Sequence, residues 1–130
     1  MAPSSLLVIH FDTSFLITAT FAGSPAHARV RAWTAAGESF GISAVAWTEY
    51  LCGPLDAATE MLTRQLFPLP EPFLPADAVV AANLFNRSGR RSRSLADCMI
   101  AAVAIRCGAP LATVNLSDFQ PLTRFGLILA

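Results

Sequence analysis

The stretch "LLVIHFDTSFLITATF", residues 6–21, holds one carboxylate, Asp12, inside an otherwise apolar and hydroxyl-bearing run. A buried charge without a partner costs several kcal/mol, so this position calls for a physical reason. The first half, "SLLVIHF" at 5–11, is a short continuous apolar run with β-branched residues and reads as a buried strand. A helix is expected from Ser14 to about Phe21, ended by "AGSP". Asp12 therefore falls at a strand-to-helix junction. It either caps the helix or is held where a charge is useful.

The rest of the chain repeats this alternation. "PAHARVRAWTAAG" predicts a helix opened near Pro25 and stopped at Gly37. "SFGIS" reads as a short strand, and "AVAWTEYL" as a helix capped by Ser43. "LDAATEMLTRQLF" and "ADAVVAANLFNRS" are helical patterns separated by the proline-rich "PLPEPFLP", which has room for at most a very short strand. "SLADCMIAAVAIRCG" is the clearest helix, with Ser94 as cap, Asp97 in its first turn, Arg106 in its last and Gly108 as its stop. "APLATVN" and the terminal "FGLILA" read as further strands. Strands alternating with helices predict a three-layer α/β/α sandwich around a mainly parallel sheet, with residues 1–130 as one domain.

Composition narrows the function classes. The 130 residues are 54% hydrophobic and 14% charged, which excludes a disordered chain. No apolar run reaches the roughly 18 residues needed to span a bilayer. The start, "MAPSSLLVIHFD", lacks the basic segment and cleavage site of a signal peptide. A cytoplasmic protein without membrane attachment is the expectation. Cys52, Cys98 and Cys107 form no CxxC pair, so packed thiols are favoured over a zinc site or a disulfide framework. All nine basic residues are arginine; the absence of lysine removes P-loop ATPases, Schiff-base enzymes and phosphoreceiver domains. The apolar excess in so small a chain predicts a homodimer interface or a groove for a partner.

In open α/β sheets, ligands bind outside the carboxyl ends of the strands. Asp12 follows the first strand, Glu49 lies on the helix after the second, and Asp118 comes a short turn after "APLATVN". Asp97 stands near the start of the helix feeding that last strand. Four acids from four segments can therefore meet at one sheet edge. Clustered carboxylates repel one another unless a cation joins them, and hard oxygen ligands suit Mg²⁺ or Mn²⁺. Each acid also has a plain reading: Asp12 and Asp97 as helix caps, Glu49 on a solvated helix face, Asp118 in a turn. Their order along the chain is what sets them apart together.

That order resembles the PIN-domain family, and within it the VapC-type toxins of bacterial toxin–antitoxin pairs. The matching segments are "FDTSFLI", "ISAVAWTEYLCG", "SRSLADCMIAAVAIRCGAPLAT" and "TVNLSDF". The resemblance covers nearly the whole chain. It implies that Asp12, Glu49, Asp97 and Asp118 form an acidic quartet for Mg²⁺ or Mn²⁺, with Asp12 and Asp97 as its firmest ligands. Thr13 and Ser14 would be the hydroxyl residues beside the first acid; family members often carry Asn where Ser14 stands. Thr113 and Asn115 match the polar residues leading to the fourth acid, the family's most variable. The implied activity is metal-dependent endoribonuclease cleavage, in which an activated water attacks phosphorus in line and leaves a 5′-phosphate and a 3′-hydroxyl. A VapB-type antitoxin whose C-terminal segment covers the site is the implied partner.

Arg87, Arg90, Arg91 and Arg93 crowd into "NRSGRRSRS", beside the Asp97 helix. They offer phosphate contacts to RNA, contacts to acidic groups of a partner, or an ordinary solvated loop. His10 in its apolar strand reads as packed and His27 as a helix-surface residue; neither is assigned catalysis. Trp33, Trp47, Phe15 and Phe85 read as core or interface residues. "DTS" echoes aspartic proteases, yet the glycine of that signature is missing and those enzymes are nearly all β. A haloacid-dehalogenase-type phosphatase needs Asp-x-Asp and a lysine, and both are absent. The remaining alternative is a catalytically silent PIN-like module that binds an antitoxin or RNA.

Overall fold

The computed structural model describes residues 8–90 and 95–130. Strand β1 (Val8–Phe11) is the middle of a three-stranded sheet of order β2-β1-β3, with β2 (Ser39–Ile42) and β3 (Leu111–Ala112) both parallel to it. The chain passes from β1 to one neighbour and later to the other. That reversal creates a crevice at the carboxyl ends of β1 and β3, where parallel sheets place their ligands.

Helices α1 (Thr13–Ala19) and α2 (Pro25–Ala35) connect β1 to β2, and α3 (Ala44–Leu51), α4 (Ala57–Leu66), α5 (Pro75–Arg87) and α6 (Leu95–Cys107) connect β2 to β3. Short α7 (Leu116–Phe119) and a 3₁₀ stretch, Gln120–Phe125, follow β3. Local chemistry explains the helix starts: Asp12, Ser24, Ser43 and Asp56 each accept the backbone N–H three residues on, satisfying an otherwise unpaired donor. α6 buries Cys98, Ile100, Ala101, Ala102, Val103 and Ala104, which cover almost its full circumference. A helix so small-sided and apolar belongs inside a domain.

Alternation along the strands separates two faces. Phe11 lies against Phe15, Phe40 and Phe67 at centroid distances of 4.9, 5.1 and 5.6 Å. His10 points the other way, toward Glu71 and Arg106. It is buried, its Nδ1 has no partner, and burial holds its pKa below the ordinary value. Gly41 beside it is required by space, since a Cβ there would sit 3.0 Å from the His10 ring.

The α/β architecture with a parallel sheet agrees with the sequence, and among the described residues all strand pairing is parallel. Several boundaries differ. α1 opens at Thr13, one residue earlier than expected, because Asp12 is its cap. "APLATVN" yields only two residues of regular strand, since Thr113 leaves the ladder to bond Asp12. "FGLILA" and "PLPEPFLP" each contribute a single bridge, Leu111 to Leu129 and Ser43 to Glu71. The expected Ser94 cap and residues 5–7 of the first strand lie outside the described residues. Among the described residues, no helix is long and apolar enough to cross a membrane.

Candidate active site

β1 ends at Phe11, and the next residue turns into α1. Asp12 is 3% exposed, and both its carboxylate oxygens are engaged. Oδ1 accepts the Phe15 N–H at 2.7 Å, Oδ2 accepts the Thr113 hydroxyl at 2.6 Å, and the Ser14 hydroxyl lies 2.8 and 3.0 Å from the two. Thr113 is held in turn by the Asn115 N–H at 2.9 Å. All of these donors are neutral. Burial pushes the Asp12 carboxyl above its ordinary pKa, and nearby Glu49 adds to the push. The bonds from Thr113, Phe15 and Ser14 pull against it without cancelling it.

Asp97, in the first turn of α6, is half-buried and pushed up to about 6. Burial contributes most; repulsion from Asp118, Asp12 and Glu49 follows in that order. The four acids read from the sequence therefore share one electrostatic neighbourhood. Glu49 and Asp118 stand at its solvent side, Glu49 on α3 and Asp118 on α7 instead of in the expected turn. The Thr13 hydroxyl donates to Glu49 Oε1 at 2.7 Å and fixes the direction of that side chain. Asn115 contributes its backbone N–H, and its side chain does not cap α7.

The donor set is chemically suited to a hard divalent cation: carboxylate oxygens of differing burial, gathered where their own repulsion disfavours full ionisation. Asp12, Asp97, Glu49 and Asp118 are the residues that would hold one. Among the described residues, however, no three His, Cys, Asp or Glu side chains are drawn close enough to hold a single ion together. The carboxylates lie within electrostatic reach without forming a closed ligand cage.

The arginine-rich segment divides. Arg87 is the last residue of α5, within the expected helical pattern "ADAVVAANLFNRS", and its guanidinium lies 4.9 Å from the centroid of the Phe125 ring. Arg90 has a positive φ of 57° in the turn that follows, while Arg91 and Arg93 lie outside the described residues. Arg124 approaches the same ring at 4.8 Å. Sequence reasoning passed over Arg124 and Phe125; the available signal was an arginine–aromatic pair, "RF", next to a turn glycine.

A parallel α/β sheet with a buried acid just past its central strand and further acids around the same edge defines an acidic-site α/β protein. The PIN domain family matches residues 9–120, and the chain belongs to that family. No curated protein matches it in sequence. Among solved structures, it is similar to VapBC2 from Rickettsia felis bound to a promoter DNA fragment, at 17% identity and a TM-score of 0.74, covering 95% of this chain and 98% of that one. It is also similar to a toxin–antitoxin complex from Klebsiella pneumoniae, at 27% identity and 0.67, covering 85% and 89%. FitAcB from Neisseria gonorrhoeae matches at 19% and 0.68, covering 95% and 97%.

Proposed function

We propose that this protein is a VapC-type toxin: a Mg²⁺- or Mn²⁺-dependent endoribonuclease, neutralised by a cognate antitoxin. The observation that carries the reading is Asp97, a half-buried carboxyl pushed up to about 6 by burial and by Asp118, Asp12 and Glu49. Four acids sharing one strand-end crevice, with a buried member bonded only by neutral donors, form an environment that a divalent cation would relieve. Membership of the PIN family and the likeness to toxin–antitoxin complexes support the same reading.

When bound, a divalent ion supplies positive charge beside the scissile phosphate and acidifies a water. The chain's own residues do the rest. Asp12 is the fixed ligand, locked by Thr113, Ser14 and the start of α1. Asp97, whose carboxyl is pushed up to about 6, would release its proton to solvent as a cation took its place. Glu49, steered by Thr13, and Asp118 would complete the oxygen set from the solvent side. Asp12 and Glu49 would be held ready for an ion by their hydroxyl neighbours, and exposed Asp118 would be the member left to approach it.

The antitoxin would contact the crevice, and exposed apolar residues such as Phe21, Met61 and Leu62 give it or a second copy of the chain a surface to cover. Cleavage of RNA in Mg²⁺ or Mn²⁺ tests the reading, comparing wild type, Asp12→Asn and EDTA-treated protein. Cleavage only by the metal-loaded wild type, leaving 5′-phosphate ends, is expected. Equal cleavage in all three arms would attribute the activity to a contaminant and overturn the assignment. The second reading, a silent module that binds antitoxin or RNA, gains no specific observation, because all four acids are retained.

A further inference from the structure

A cavity of about 530 Å³, with none of the four acids in its lining, is formed by Val80, Asn83, Leu84, Arg87, Arg124 and Phe125. The first four are one face of α5, at helical spacing. The last two come from the 3₁₀ stretch that follows the Asp118 helix. Its centre is the Phe125 ring, with the guanidiniums of Arg87 and Arg124 at 4.9 and 4.8 Å from the centroid. Neither arginine has an acidic partner among the described residues, and both are exposed. Two cations held on one ring without a counter-ion make a local positive field in a chain of zero net charge.

We propose that this groove holds single-stranded RNA, with a base stacking on the guanidinium planes that Phe125 supports while the edges of Arg87 and Arg124 contact flanking phosphates. Stacking platforms interleaved with arginines are how proteins hold unpaired strands. The placement fits a substrate path. Arg106 in the last turn of α6 bonds Asp77 in the first turn of α5, so these two helices run antiparallel. The Arg87 end of the groove therefore lies at the same end of the pair as Asp97. A strand seated there leads toward the acids. Val80 and Leu84 give the groove an apolar wall against which a base edge can rest.

This inference rests on the nuclease reading for its choice of RNA, so the experiment separates the two. Binding of a fluorescein-labelled, mixed-sequence 12-nucleotide single-stranded RNA is measured by anisotropy in EDTA, where cleavage is off. Arg87→Gln and Arg124→Gln are each expected to weaken binding several-fold and to reduce the salt slope by about one counterion. Phe125→Leu is expected to weaken it about tenfold, with Phe125→Tyr restoring it to within about twofold by keeping the ring. Asp97→Asn should bind no more weakly than wild type. Equal binding by wild type, Arg124→Gln and Phe125→Leu would overturn the proposal even if the wild type cleaves RNA. Groove-dependent binding of a fluorescein-labelled 12-residue polyglutamate peptide, with no binding of the RNA, would also overturn it, assigning the groove to an acidic protein partner. Groove-dependent binding without any cleavage would keep the proposal and remove the nuclease.

Discussion

Two buried carboxylates in this molecule meet opposite fates. Asp77, 1% exposed, receives the Arg106 guanidinium at 2.9 and 3.1 Å and also caps the start of α5 through the Leu74 N–H. Arg106 extends the network to the Pro72 carbonyl at 2.9 Å and toward Glu71 at 3.7 Å. Asp12, 3% exposed, has hydroxyls and one N–H around it, with Glu49 and Asp97 within electrostatic reach. One acid has its cation supplied by the chain itself, from Arg106. The other is supported in every direction by neutral dipoles, and its charge is left to be matched from outside. The first arrangement holds helices together, and the second is what a metal site requires of its host.

Exchanging the charge at each acid should separate the two roles. Asp12→Asn keeps an oxygen for the Phe15 N–H and an amide for its hydroxyl neighbours, so its Tm should stay within a few degrees of wild type. Its RNA cleavage should fall by about 10²–10³-fold, the scale of losing a group that stabilises the transition state. Asp77→Asn should do the reverse: a Tm lower by about 5–10 °C by calorimetry, with cleavage by the folded protein at 20 °C nearly unchanged. A similar loss of both properties in both variants would erase the distinction drawn here.

Thr113→Val sharpens the comparison at the Asp12 end. It removes the 2.6 Å bond that orients Oδ2 and the acceptor used by Asn115. Outer-shell losses of this kind lower metal affinity or activity about tenfold, and Mn²⁺ affinity is the measurement that checks it.

A smaller effect is expected in stability against pH. The Asp97 carboxyl titrates near 6 in the folded protein, above its unfolded value, so folding favours its protonated form. Its contribution is fully present below about pH 4 and is lost as pH rises through about 6. Asn at this position escapes that loss. In EDTA, Asp97→Asn should raise Tm by a few degrees at pH 8 and by nothing at pH 4. A constant offset across that range would place the effect in packing, not in charge.

The strand-to-helix junction at Asp12 was legible because strand period, cap chemistry and a lone acid coincide within a few residues. So were the helix that carries Asp97 and stops at Gly108 and the cap at Ser43, all short-range patterns. What sequence alone did not reveal depends on long separations. Arg106 reads as a last-turn cation suited to the helix dipole, and nothing local announces a partner 29 residues away. The third strand reads as seven residues, but only Leu111–Ala112 stay in the ladder, because Thr113 turns to meet an acid 101 positions earlier. Phe125 reads as the start of the terminal strand "FGLILA", and its Arg87 neighbour becomes visible only when α5 lies beside the 3₁₀ stretch.

On this reading, a divalent cation supplies the charge missing around Asp12. A Mn²⁺ titration at pH 7.5, followed by water-proton relaxation, tests it on wild type, Asp12→Asn, Asp97→Asn and Asp77→Asn. Saturable binding by wild type and Asp77→Asn, lost in Asp12→Asn and Asp97→Asn, is the predicted result. Binding by Asp97→Asn equal to that of wild type would contradict the account.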